Sequence, residues 1–71
     1  MITNAQIREK LIEAIKNSGV TQSEIARRVG VTHQQISGYV CGIKMPSLDT
    51  FANICKVLDL DANEILCLTN N

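Results

Sequence analysis

The chain has no tryptophan, a single phenylalanine (Phe51), a single tyrosine (Tyr39) and a single proline (Pro46). No apolar run is long enough to span a bilayer. The start, MITNAQIREK, lacks the basic residues and long apolar stretch of a secretory signal, so the cytoplasm is the expected location. Cysteine is scarce as well. Cys41, Cys55 and Cys67 are an odd number with wide spacing, and no two stand close enough to begin a metal site. The only histidine, His33, is eight residues from the nearest of them. No metal or other cofactor is expected, and reduced thiols serving as small apolar side chains account for all three. His33 also has no acidic neighbour in sequence, no nucleophile motif is present, and so short a chain has little room for a conventional pocket. An enzyme is therefore not expected.

Net charge is missing too: seven basic and seven acidic residues cancel. That weighs against a strong nonspecific grip on nucleic acid. The distribution is uneven, however. Residues 21–46 carry Arg27, Arg28 and Lys44 against Glu24, a balance of +2, whereas residues 47–71 carry Lys56 against Asp49, Asp59, Asp61 and Glu64, a balance of −3. A mildly basic end opposite an acidic one suits a molecule of which one face meets phosphate.

What is present is a helical pattern. Hydrophobic residues make up 45% of the 71 and charged residues 20%, the mix of a small globular chain. A single domain over 1–71 is expected, and a marginal one, since a chain of this size buries only about 60% of its unfolded surface. Thr3 with Gln6, Thr21 with Glu24, Thr32 with Gln35 and Asp61 with Glu64 have the spacing of a capping box. Ser47, after Pro46, is a fifth candidate cap. They predict helices over 4–17, 22–29, 33–41, 48–58 and 62–68. Inward stripes recur at helical spacing: Ile7, Leu11, Ala14 and Ile15; Ile25, Ala26 and Val29; Leu48, Phe51, Ile54, Cys55 and Leu58. Gly19, Gly30 and Gly42 lie just past helices, where a left-handed residue closes the last turn. No alternating β-branched run argues for a strand, so the fold class is all-α.

The most informative stretch is QSEIARRVGVTHQQISGY, from Gln22 to Tyr39. Ile25, Val29, Val31, Ile36 and Tyr39 supply inward apolar positions. Ala26 is small where two helices must cross closely, and Gly30 stands where the first must stop. Two short helices joined by a tight glycine turn make a helix-turn-helix, whose second helix ordinarily enters the DNA major groove. The exposed start of that helix carries Thr32, His33, Gln34, Gln35 and Ser37, with Ile36 pointing inward. A glutamine both donates and accepts, which matches the N6 and N7 edge of adenine. Polar helix starts also occur on ordinary solvated faces. The pattern before Gly30 tips the reading toward base contact.

With those residues in view, the segment TQSEIARRVGVTHQQISGYVCGIKMPSLDTFANICKVLDLDANEIL, Thr21 to Leu66, resembles the Cro/C1-type helix-turn-helix family, the lambda-repressor-like domains of phage and bacterial regulators. The TQ-x-E-I-A, G-V-T, I-S, P-S and D-x-N-E-I elements fall in register, and the first helix fits the same five-helix plan. The resemblance implies a sequence-specific operator binder on double-stranded DNA, commonly a dimer. It places His33, Gln34, Gln35 and Gly38 on the base-contacting face, joined by Ser37 from the residue reading above. Gln22 and Thr32 are implied phosphate contacts, with Lys44 and Arg28 as the basic candidates.

Departures from the family pattern are concentrated after the recognition helix. A long polar residue is common where Gly38 stands; glycine there costs the helix about 1 kcal/mol relative to alanine. Close approach to DNA and an unimportant contact are both open readings. The following loop is usually polar and basic, but here it runs Val40, Cys41, Gly42, Ile43, Lys44 and Met45. Only Lys44 remains in it to meet phosphate, so modest affinity is expected. Relatives often pair a glutamate at the Val40 position with an arginine at the Ile15 position; in this chain both ends are apolar, and Val40 is expected to pack on Ile15. Ile43 and Met45 are expected to fold onto the core, with a partner-binding patch as the alternative. Arg27 and Arg28 suit a solvated face from which one reaches phosphate. Tyr39 suits the core with its hydroxyl at the surface.

At the end of the chain, Ile65, Leu66 and Leu68 are dimer-interface candidates. The other reading has Ile65 and Leu66 closing the core while Leu68 frays with Thr69–Asn71. The leading function is a transcriptional regulator that represses by occupying its operator, since the chain offers no room for a sensor domain. The alternative is a protein-interaction module of the same fold, such as an antitoxin or regulator subunit, with Val40–Met45 or the C-terminus gripping a partner.

Overall fold

Threonine starts three of the helices. Thr3, Thr21 and Thr32 have extended backbones, and each hydroxyl accepts the N–H three residues on, from Gln6 at 3.2 Å, Glu24 at 3.2 Å and Gln35 at 3.1 Å. Each such cap contributes about 1 kcal/mol. The computed structural model describes residues 1–69, with α1 over Asn4–Asn17, α2 over Gln22–Val29, α3 over His33–Val40, α4 over Leu48–Leu58 and α5 over Ala62–Ile65. There is no strand among the described residues.

The expected boxes close in only two places. Gln6 and Gln35 reach back to the Thr3 and Thr32 N–H groups at 2.8 and 2.9 Å. Glu24 does not reach back, because its carboxylate takes two arginines instead. Asp61 accepts from Asn63 N–H at 3.0 Å, two residues on, so its box with Glu64 does not form. Ser47 makes no bond to the helix N–H groups. Its hydroxyl turns to Asp49 and Thr50; its bond to the Asp49 carboxylate, then that of the Thr50 N–H, holds the Asp49 carboxyl below its usual range.

The core is one cluster assembled from every helix: Leu11 and Ile15 of α1, Ile25 and Ala26 of α2, Ile36 and Tyr39 of α3, Phe51, Ile54 and Cys55 of α4, and Ile65 of α5. Ile25, Ile36 and Ile54 are fully enclosed. Ile7, Ala14, Val29, Val31, Val40 and Leu58 pack against the cluster half-buried, and burial pushes the Cys55 thiol up. Both Ile15 and Val40, expected to touch, are therefore core-facing. α2 packs on α3 and α4, and α1 on α3 and α5.

Four further expectations need correction. Leu48 is not part of the inward stripe; it is 86% exposed, because it opens the first turn of α4 where no neighbouring helix covers it. Ile43 does not fold onto the core and is 76% exposed, while Met45 is half-buried. The reason is that the Ile43 and Lys44 N–H groups both donate to the Gly38 carbonyl, at 3.0 and 3.2 Å, which folds the loop along the flank of α3. α3 ends at Val40, one residue early, with Cys41 as its cap. α5 ends at Ile65 instead of 68. Cys67 adopts φ 61°, and the Leu68 N–H turns back to the Asn63 carbonyl at 2.8 Å, a left-handed closure that stops the helix. The expected fraying of 69–71 falls mostly outside the described residues.

Candidate nucleic-acid interface

The turn between α2 and α3 is fixed by Gly30. Its φ of 85° puts it in the left-handed region, and the Gly30 and Val31 N–H groups both return to the Ala26 carbonyl, at 2.9 and 3.0 Å. A side chain with a Cβ is strained there. Ala26 itself is buried, as a close helix crossing requires. The apolar anchors Ile25, Ile36 and Tyr39 then hold α3 by its inner face, so its outer face is presented on a rigid base.

That outer face is polar and open. His33, Gln34 and Gln35 are exposed, and Ser37 and Gly38 are half-exposed beside them. The side chains of His33, Gln34 and Ser37 make no hydrogen bond among the described residues, which leaves their donors and acceptors for a ligand. Gln35 is different. Its Oε1 accepts the Thr32 N–H and the Thr32 hydroxyl, at 2.9 and 3.3 Å, so that oxygen is committed to the cap and only the amide NH2 remains. Thr32, placed here from the sequence as a phosphate contact, is held in the same exchange.

Charge around this face is arranged unevenly. Glu24 accepts from Arg27 Nε at 3.0 Å and from Arg28 Nε at 2.8 Å. The Arg27 hydrogen bonds, then those of Arg28, hold the Glu24 carboxyl well below the usual range, down to about 2. Arg28, a candidate for phosphate, is thus tied along its own helix. Gln22 begins α2 half-buried, with no side-chain hydrogen bond among the described residues. Lys44 is exposed and has no carboxylate partner among the described residues. Its stem lies against Gly38: a Cβ built on that glycine would stand 3.9 Å from Lys44 Cβ, Cγ and Cδ.

Together Thr32, Gln34, Ser37, Gly38, Ile43 and Lys44 line a shallow hollow along α3. From the sequence Lys44 is a phosphate candidate and Ile43 a core or partner-surface residue; neither is expected to lie along the recognition face. On the far side of the same loop Gly42, at φ 77°, lies against Arg8 of α1, and a Cβ there would approach Arg8 Cδ to 3.4 Å. Sequence reasoning gave Arg8 no role, and nothing in its spacing signals this placement. The dimer candidates divide: Ile65 is buried in the core of its own chain, Leu66 is half-buried and Leu68 is 59% exposed. Among the described residues no cluster of His, Cys, Asp or Glu is placed to hold a metal ion, and no helix is long and apolar enough to cross a membrane.

Comparison with known proteins agrees with this geometry. The family model described as helix-turn-helix matches residues 11–65, well over half of the chain. Among solved structures, the SOS-response transcriptional repressor LexA from Eubacterium rectale superposes with a TM-score of 0.75 at 25% identity, over 93% of this chain and 73% of that one. No curated protein matches.

Proposed function

The chain belongs to the Cro/C1-type helix-turn-helix family of DNA-binding transcription regulators, and from that premise we propose a sequence-specific repressor that acts by occupying its operator. Residues 1–71 form its DNA-binding domain, with the motif over 22–41. α3 lies in the major groove, where His33, Gln34 and Ser37 address base edges and the Gln35 amide assists as a donor. Gln22, Thr32 and Arg28 face the phosphates that flank the groove, which fixes register without reading sequence. The observation that carries this reading is the outer face of α3: three adjacent polar side chains without internal partners, on a helix anchored by fully enclosed Ile36. The likeness to a transcriptional repressor supports the direction of control.

Binding as a homodimer on a two-fold site is part of the proposal, with Leu68 as the exposed apolar contact near the end of α5. Selection against a random duplex library, then anisotropy titration at several salt concentrations, tests the whole. The expected result is a palindromic consensus with half-sites about one helical turn apart. No enrichment, with binding that vanishes at moderate salt, would overturn base readout.

One observation favours the second reading, a protein-interaction module. Ile43 and Leu48 are large, apolar and exposed, in and just after the loop that follows α3. Unenriched selection together with a stable complex through these residues would establish it.

A further inference from the structure

We propose that Lys44 is a base-reading residue, delivered to the recognition face by Gly38, and that it selects guanine next to the base addressed by Gln34. The inference rests on the DNA reading proposed above. Gln34 and Gly38 are four residues apart on α3, so they lie one turn apart on the same side of the helix. Both line the same hollow, and Lys44 lines it with them. Gly38 supplies no side chain to that strip. The Lys44 stem lies alongside instead, with three of its carbons 3.9 Å from the position a Cβ would take.

The loop holds it there. The Lys44 N–H donates to the Gly38 carbonyl at 3.2 Å, reinforced by the Ile43 N–H to the same oxygen at 3.0 Å, so residues 43 and 44 are tied to the helix they flank. The ammonium has no carboxylate partner among the described residues, and the basic side chains of α2 are bound to Glu24. Lys44 is thus the untied cation lining the hollow. A lysine carries donors only, and in the major groove guanine offers two acceptors, O6 and N7, on one edge. Gln34 with its paired donor and acceptor suits adenine; Lys44 one helical turn along suits guanine. A side chain longer than alanine at position 38 would contend with that stem, so glycine there leaves the flank of α3 open to a side chain from outside the helix.

The test is the Lys44→Met variant, which keeps an aliphatic stem on Gly38 and removes the charge, profiled beside wild type against the same random duplex library. The expected result is that preference for G·C at one position of each half-site falls about tenfold or more, while the other positions keep theirs. Lys44→Arg should retain preference at that position. Loss of affinity by the same factor on every sequence, with the salt slope reduced by about one, would make Lys44 a phosphate contact and overturn the inference alone. Absence of any consensus for wild type would overturn it together with the operator reading. Unchanged far-ultraviolet circular dichroism confirms that the exposed substitution leaves the fold intact.

Discussion

α2 and α3 are the same helix built twice and put to different uses. Each is eight residues long, begins with a capping threonine and buries two residues of its inner face. They diverge at the third helical position. In α3 it is Gln35, which turns back and closes the cap; in α2 it is Glu24, which turns forward and gathers Arg27 and Arg28. α2 therefore satisfies its charged side chains internally. α3 satisfies only its cap, Thr32 with Gln35, and leaves His33, Gln34 and Ser37 with no partner inside the molecule. A polar side chain without an internal partner forgoes no stability while water serves it, yet it is ready to exchange that water for a base edge. One helix is a brace, the other a reader.

The largest expected effect removes what the two helices share. Ile36 is fully enclosed where α3 meets the core, so Ile36→Ala should lower unfolding free energy by about 2–5 kcal/mol in urea titration. That is a large part of what a chain of this size possesses. Loss of less than about 1 kcal/mol would mean that α3 is not anchored as described.

Next comes a change confined to the reader. Gln34→Ala should weaken binding by about 1–3 kcal/mol on the preferred operator and relax discrimination at one base pair, measured by anisotropy on operators altered one position at a time. The matching change on the brace, Arg27→Ala, should leave the preference profile unaltered. Equal relaxation from both would erase the distinction between the helices.

A smaller and opposite effect is expected at Gly38. A Cβ there meets only the Lys44 stem, at ordinary contact distance. Gly38→Ala should therefore stabilise the protein by about 0.5–1 kcal/mol in thermal or urea unfolding, because alanine has less freedom to lose in a helix. Destabilisation would indicate that the stem needs more room than the contact suggests.

The smallest effect belongs to the brace. The Glu24 carboxyl is lowered in the folded state to about 2 from an ordinary 4.5, so its fork with the arginines contributes fully above pH 4.5 and is lost as pH falls through about 2. Above pH 4.5, Glu24→Gln should lower the melting temperature slightly, converging with wild type as pH falls toward 2, a small difference because exposed pairs are screened by solvent. A wild-type melting curve identical to that of Glu24→Gln from pH 5 to 2 would show that the fork contributes nothing.

Much of this was legible in the sequence because it is local. Thr3, Thr21 and Thr32 cap because a hydroxyl reaches the N–H three residues ahead within a single turn. Gly30 ends α2 because only glycine enters the left-handed region without strain. Ile25, Ile36 and Ile54 are core because their spacing puts them on one side of their helices. The exposed polar start of α3 follows from the same periodicity, and its place in the Cro/C1-type family follows from motifs in register over 21–66.

The tertiary structure decided what spacing does not encode. Leu48 fits the helical period of α4 as well as Phe51 does, yet only the neighbouring helices determine that one is bare and the other covered. Ile43 is apolar enough for the core, but the Gly38 carbonyl claims two backbone N–H groups of its loop and turns it outward. Gln35 fits both a cap and a base edge, and the cap takes its oxygen. Above all, residues 38 and 44 are six apart in the chain, and a loop path brought the Lys44 stem onto bare Gly38. Sequence fixes interactions that close within a turn, because backbone geometry sets those distances in advance. Contacts between a helix and the loop beside it depend on where the chain goes next, and folding alone determines that.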